Sequence, residues 1–148
     1  MKKLLRLLAL SQSERYLLLL TLLWLGRIRF RLWLLPFQQL QQQLTEVSQK
    51  PHCYPFRPLP SVSKIVWAVQ VCSRYLPGKV RCLAQALTTQ VIASQLGYSL
   101  DLQIGVMKRD TCQLEAHAWV TYQGKVAIGS LPYLSQFVPI WSLSGGKP

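Results

Sequence analysis

At 148 residues, half of them hydrophobic, the chain is one domain long with enough apolar mass to bury a core, which excludes a disordered tail. Seventeen Lys and Arg against five Asp and Glu leave +12, a balance suited to nucleic acid, an anionic membrane surface or an acidic peptide. The cysteines at 53, 72, 82 and 112 form no CxxC pair and the only histidines are His52 and His117, so neither a zinc site nor a secreted disulfide framework is expected. The thiols read as reduced and the protein as intracellular.

The charge is concentrated early. Lys2, Lys3, Arg6, Arg15, Arg27, Arg29 and Arg31 against Glu14 leave +6 before residue 36. Ser11-Gln12-Ser13-Glu14 matches a capping box, and the run from Arg15 to Leu35 holds no proline, which predicts a long helix ending near Pro36. Its most apolar part, Tyr16 to Gly26, is eleven residues long, whereas a bilayer span needs roughly twenty. No small-residue cleavage site follows it, so it does not read as a removed signal. The helix therefore packs within the protein or against a partner, or lies on a membrane surface with its arginines reaching the headgroups.

Phe37 to Val47 is predicted as a second helix, with Leu40, Leu44 and Val47 at helical spacing and glutamines on its solvent face. Four prolines make residues 51–60 an extended linker between a Leu-rich basic helical region, 1–50, and a second part, 61–148. His52-Cys53 lies in that linker, and a nucleophile and base adjacent in sequence rarely face each other usefully. Ser61 and Ser63 can cap a helix running to about Tyr75, with Cys72 in its core face.

Pro77-Gly78 breaks the chain before Arg81-Cys82-Leu83-Ala84-Gln85-Ala86-Leu87, which puts a thiol in the first turn of a helix that Gly97 stops. The positive end of that helix, with Lys79 and Arg81 beside it, favours the thiolate. From Tyr98 the period becomes two: Leu100, Leu102, Ile104 and Val106 alternate with Ser99, Asp101, Gln103 and Gly105. Beyond the polar turn at 108–111 a second strand carries Leu114, Ala116, Ala118 and Val120 on one face and Glu115, His117, Trp119 and Thr121 on the other. Gln123-Gly124 then turns the chain into a third strand, Lys125 to Ile128.

This order of parts, with the Arg81-to-Leu87 motif, the strand Leu102-Gln103-Ile104-Gly105-Val106 and Ala116-His117-Ala118-Trp119-Val120 before Gly124, resembles the protease half of the lasso peptide biosynthesis B protein, one of the transglutaminase-like, papain-related cysteine proteases. The likeness covers about residues 60–130. It implies an α+β fold: N-terminal helices, then a core whose nucleophile heads a helix packed on an antiparallel sheet. It also implies a cytoplasmic leader peptidase that cuts a ribosomally made precursor between leader and core. The family's leader-binding module is not expected within these residues, and a separate leader-recognition protein and a lasso cyclase are the expected partners. A peripheral membrane contact through residues 1–35 is the further one.

Carried over by residue, Cys82 is the nucleophile, His117 the base, and the Cys82 backbone N–H one oxyanion donor. The third position departs from the family. An acid is expected on the strand after the histidine, yet no Asp or Glu follows Glu115. In a serine protease a wrongly held histidine tautomer costs about 10⁴ in rate, but a neutral amide serves in papain-like enzymes. A backbone carbonyl, Ser130, Gln123 or Asp101 could take the role, with Asp101 preferred among the acids because a charge on a mostly apolar strand needs a reason.

Trp119 can shield the site or fill the core. Cofactor and metal are not expected. Three activities fit these residues: a thiol peptidase, an acyl transferase using the same acyl-enzyme, and a non-catalytic basic adaptor for a peptide or membrane. Nucleic acid is not an expected partner, since no basic stripe with interleaved aromatics accompanies the charge.

Overall fold

The long N-terminal helix starts where the capping box places it. In a computed structural model describing residues 2–49, 60–76, 82–108 and 112–144, Ser11 Oγ accepts from Glu14 N at 3.2 Å and Glu14 Oε2 accepts from Ser11 N at 3.1 Å. A short helix, α1 (Lys2–Leu8), precedes it. Then come α2 (Gln12–Leu34), α3 (Phe37–Gln49), α4 (Val62–Tyr75) and α5 (Cys82–Gln95). Four strands follow: β1 (Asp101–Lys108), β2 (Leu114–Tyr122), β3 (Lys125–Ile128) and, after a 3-10 turn, β4 (Val138–Ser144). They form one antiparallel sheet in the order β3-β2-β1-β4. Helices first and an antiparallel sheet after them is the α+β architecture expected. The proline-rich stretch 51–59 and the segment 77–81 lie outside the described residues.

Helix α5 is the centre. It is buried on nearly every side, from Ala84 to Gln95, and packs against α2, α3, α4 and the sheet. Its buried threonines are satisfied locally: Thr88 Oγ1 donates to Ala84 O at 2.7 Å and Thr89 Oγ1 to Gln85 O at 2.8 Å. Gln90 Nε2 reaches across to Leu100 O at 3.2 Å. The helix ends in a Schellman pattern, with Tyr98 N donating to Ala93 O and Gly97 N to Ser94 O. That turn folds the chain back so that β1 runs antiparallel to α5.

The other helices close around it. Leu17, Thr21, Leu25 and Ile28 of α2 recur at helical spacing on the buried side. Leu17, Leu25 and Ile28 join Leu40 and Leu44 of α3, Ile65 and Val69 of α4, and Leu102, Ala118 and Val120 of the sheet in one hydrophobic cluster. Helix α4 is held to α2 at both ends: Lys64 pairs with Glu14, and Cys72 Sγ donates to Leu18 O at 3.4 Å. The Lys64 hydrogen bond, followed by that from the Ser11 backbone, draws the Glu14 carboxyl below its ordinary value.

The two faces of the sheet differ. Leu102, Ala118 and Val120 meet the helices, while Trp119 and Phe137 build a second buried group on the reverse face. Gly105 belongs to that second group. A Cβ there would stand 2.8 Å from Trp119 Cη2, so the indole occupies the space over β1.

The two sides of α2 make a stability test. Leu25 is fully buried whereas Leu23 is 63% exposed. Leu25→Ala is expected to cost about 3 kcal/mol through cavity formation, and Leu23→Ala less than about 0.5 kcal/mol, both read from urea unfolding.

Candidate active site

Cys82 is the first residue of α5, half-buried, and packs against the edge of the main core. As the opening residue of the helix its N–H has no intrahelical acceptor. Lys79 and Arg81 lie outside the described residues.

His117 sits in the middle of β2, opposite Gly105 of β1. Its Nε2 lies 2.7 Å from the Gly129 carbonyl oxygen. A carbonyl can only accept, so Nε2 must carry the proton, and in the neutral ring Nδ1 is left as the base. Trp119 stacks near-parallel to the imidazole at 6.2 Å between centroids, and Phe137 closes on it at 5.6 Å. Tyr133 stacks in turn on Phe137. The ring is therefore fixed by one polar contact and two aromatic ones.

Gly129 can do this because of its backbone. It has φ of +90°, and a Cβ there would come within 2.8 Å of Ala118 O. Only glycine fits both the conformation and the space, and that conformation turns its carbonyl toward the imidazole.

Asp101 is exposed and pairs with Thr121, four residues along β1 from Gly105. That separation is about 13 Å, so the group beside His117 is the Gly129 carbonyl and not the Asp101 carboxylate. Gln123 donates from Nε2 to the Tyr122 hydroxyl, and Ser130 is exposed. Sequence reasoning admitted a backbone carbonyl without locating it. It missed Phe137 and Tyr133 entirely, since neither lies in a motif.

No hydrogen bond joins the Cys82 thiol and the His117 imidazole among the described residues: Cys82 packs against the core on the helix side of the sheet. The imidazole leaves β2 on the reverse face, away from Ala118 and Val120.

β3 pairs only with Val120, Thr121 and Tyr122, so residues 114–119 of β2 carry no strand on that flank among the described residues. The chain after Ile128 stays against this flank: Gly129 packs on Ala118 and Trp119, and its carbonyl meets the ring.

A comparison with known protein families matches residues 22–142 to the transglutaminase-like superfamily. The chain belongs to that superfamily, which usually comprises cysteine-dependent enzymes. No curated protein and no solved structure matches the chain.

The other described cysteines have different surroundings. Cys72 is buried in α4, and burial pushes its thiol up to about 11. Cys112 is exposed, in a left-handed turn. At pH 8 only about one Cys72 in a thousand would be thiolate. Iodoacetamide at that pH is expected to alkylate Cys82 and Cys112 and to spare Cys72 until denaturant is added, as read by peptide mass mapping. The imidazole makes a second test: long-range proton–nitrogen NMR correlations should show the Nε2–H tautomer for His117. In Gly129→Ala that preference should weaken as the carbonyl is displaced.

Proposed function

We propose that this chain is a thiol peptidase in which Cys82 is the nucleophile and His117 the general base and acid. The observation that carries the assignment is the His117 Nε2 to Gly129 carbonyl bond, which fixes the tautomer needed for Nδ1 to take a proton. The place of Cys82 at the head of α5, half-buried at the edge of the core, supplies the second element. The ring leaves β2 on the face opposite the helices, so this role requires thiol and imidazole to be brought together when substrate binds.

The chemistry runs as acyl transfer. Nδ1 takes the thiol proton, Sγ attacks the scissile carbonyl carbon, and the carbonyl oxygen becomes an oxyanion facing the Cys82 backbone N–H. The C–N bond breaks as the imidazolium returns its proton to the leaving amine. Water, deprotonated by His117, then cleaves the thioester and frees the carboxylate and thiol. The Gly129 carbonyl holds the ring throughout, in the place of the acid expected from the family.

The likeness of the Cys82 and His117 motifs to the lasso peptide biosynthesis B protease favours one substrate: a ribosomally made precursor cut between leader and core. A separate leader-recognition protein would present it, and a cyclase would consume the freed core amine. Transglutaminase-like membership also fits transfer to an amine, since the acyl-enzyme is shared and only the acceptor differs.

Mass spectrometry of the protein incubated with precursor and leader-recognition protein separates these outcomes. Cleavage at the leader–core junction is expected, falling about 10⁴-fold or more in Cys82→Ala and His117→Ala, while Asp101→Asn leaves it unchanged. Incorporation of an added amine at the junction, with little hydrolysis, would move the assignment to an acyl transferase. Retained precursor binding with no covalent chemistry would overturn both and leave a basic adaptor.

A further inference from the structure

Helix α2 is apolar on both sides. Its inner side is committed to the core through Leu17, Thr21, Leu25 and Ile28. Its outer side carries Leu19, Leu22, Leu23, Phe30, Trp33 and Leu34, all exposed, with Leu19 at 61% and Trp33 at 81%. The spacing of three, four and seven residues puts them on one stripe about 22 Å long. Single exposed apolar residues are ordinary, whereas a continuous stripe marks a contact surface.

The charge around the stripe has one sign. Arg15 and Arg27 lie on the exposed side itself, and Lys2 and Arg6 are exposed on α1 beside Leu5 and Leu8. Glu14 is the only acid before residue 36, and its carboxylate is already engaged by Lys64 and by the Ser11 backbone. These cations are strung along the helices instead of gathered at one point. That distribution matches a continuous anionic plane better than a single acidic pocket. No described helix is long and apolar enough to cross a bilayer.

We infer that α1 and the outer face of α2 dock the protein flat on an anionic lipid bilayer. Leu19, Leu23, Phe30 and Trp33 enter the boundary between headgroups and acyl chains, and Arg15 and Arg27 reach up to lipid phosphates. This holds whichever acceptor the acyl-enzyme uses.

Flotation of the full-length protein with vesicles tests it, using phosphatidylcholine alone and phosphatidylcholine with 30 mol % phosphatidylglycerol. Binding is expected to the anionic vesicles, at least tenfold stronger than to the neutral ones and weakened by salt. At roughly fivefold per cation near an anionic surface, Arg15→Gln with Arg27→Gln should weaken it about twentyfold. Leu23→Glu with Trp33→Glu should abolish it while leaving the thermal midpoint unchanged, because both side chains are exposed. Equal binding to neutral vesicles, or undiminished binding by the Glu variant, would overturn the inference. So would a dimer of this chain, seen by light scattering and lost in the same variant, in a protein that ignores vesicles.

Discussion

The enclosure of α5 is the constraint on which the other elements depend. A helix buried on almost all sides needs small or locally satisfied residues, and α5 supplies Ala84, Ala86 and Ala93 with Thr88 and Thr89 bonded back to their own turns. With three helices and a sheet packed round it, its position is over-determined, and so is that of its first residue. Cys82 and Leu83 are only half-buried, at the one end where the enclosure opens. Rigid placement of a reactive group by a packed scaffold is what acyl transfer requires, because small displacements of reacting atoms are costly.

Holding His117 with a carbonyl has an electrostatic consequence. A carboxylate would both orient the ring and stabilise the imidazolium, whereas a neutral carbonyl orients it and adds only its dipole. In the proposed mechanism, stabilisation of a thiolate–imidazolium pair would then rely more on the helix N-terminus and on the cations next to Cys82 in sequence, Lys79 and Arg81. Enclosure by Trp119 and Phe137 limits water around the ring, which strengthens those interactions.

Much of this arrangement was legible in the sequence where local chemistry is strong. The capping box at Ser11, the stop at Gly97, the period-two strand carrying His117 and the two-residue turn at Gln123-Gly124 all mark their elements by residue type. The buried side of α2 was not legible, since a helix rich in leucine all round offers no contrast in polarity; only its partners pick out Leu17 and Leu25. β4 was hidden by Pro139, which argues against a strand. The structure accommodates it on an edge strand, opposite Gly105 and next to a shift in register. The carbonyl against His117 could not be found from side chains, because the group that orients the ring belongs to the backbone.

Enclosure of α5 also sets how its parts respond to solvent. Amides from its middle turns, donors in an unbroken ladder under two layers of packing, can exchange for deuterium only when the whole molecule opens. The amides of the first turn, around Cys82, have no intrahelical acceptors and are free of that requirement. Within one helix the hydrogens thus divide into two classes, and the boundary between them falls a few residues past the sulfur.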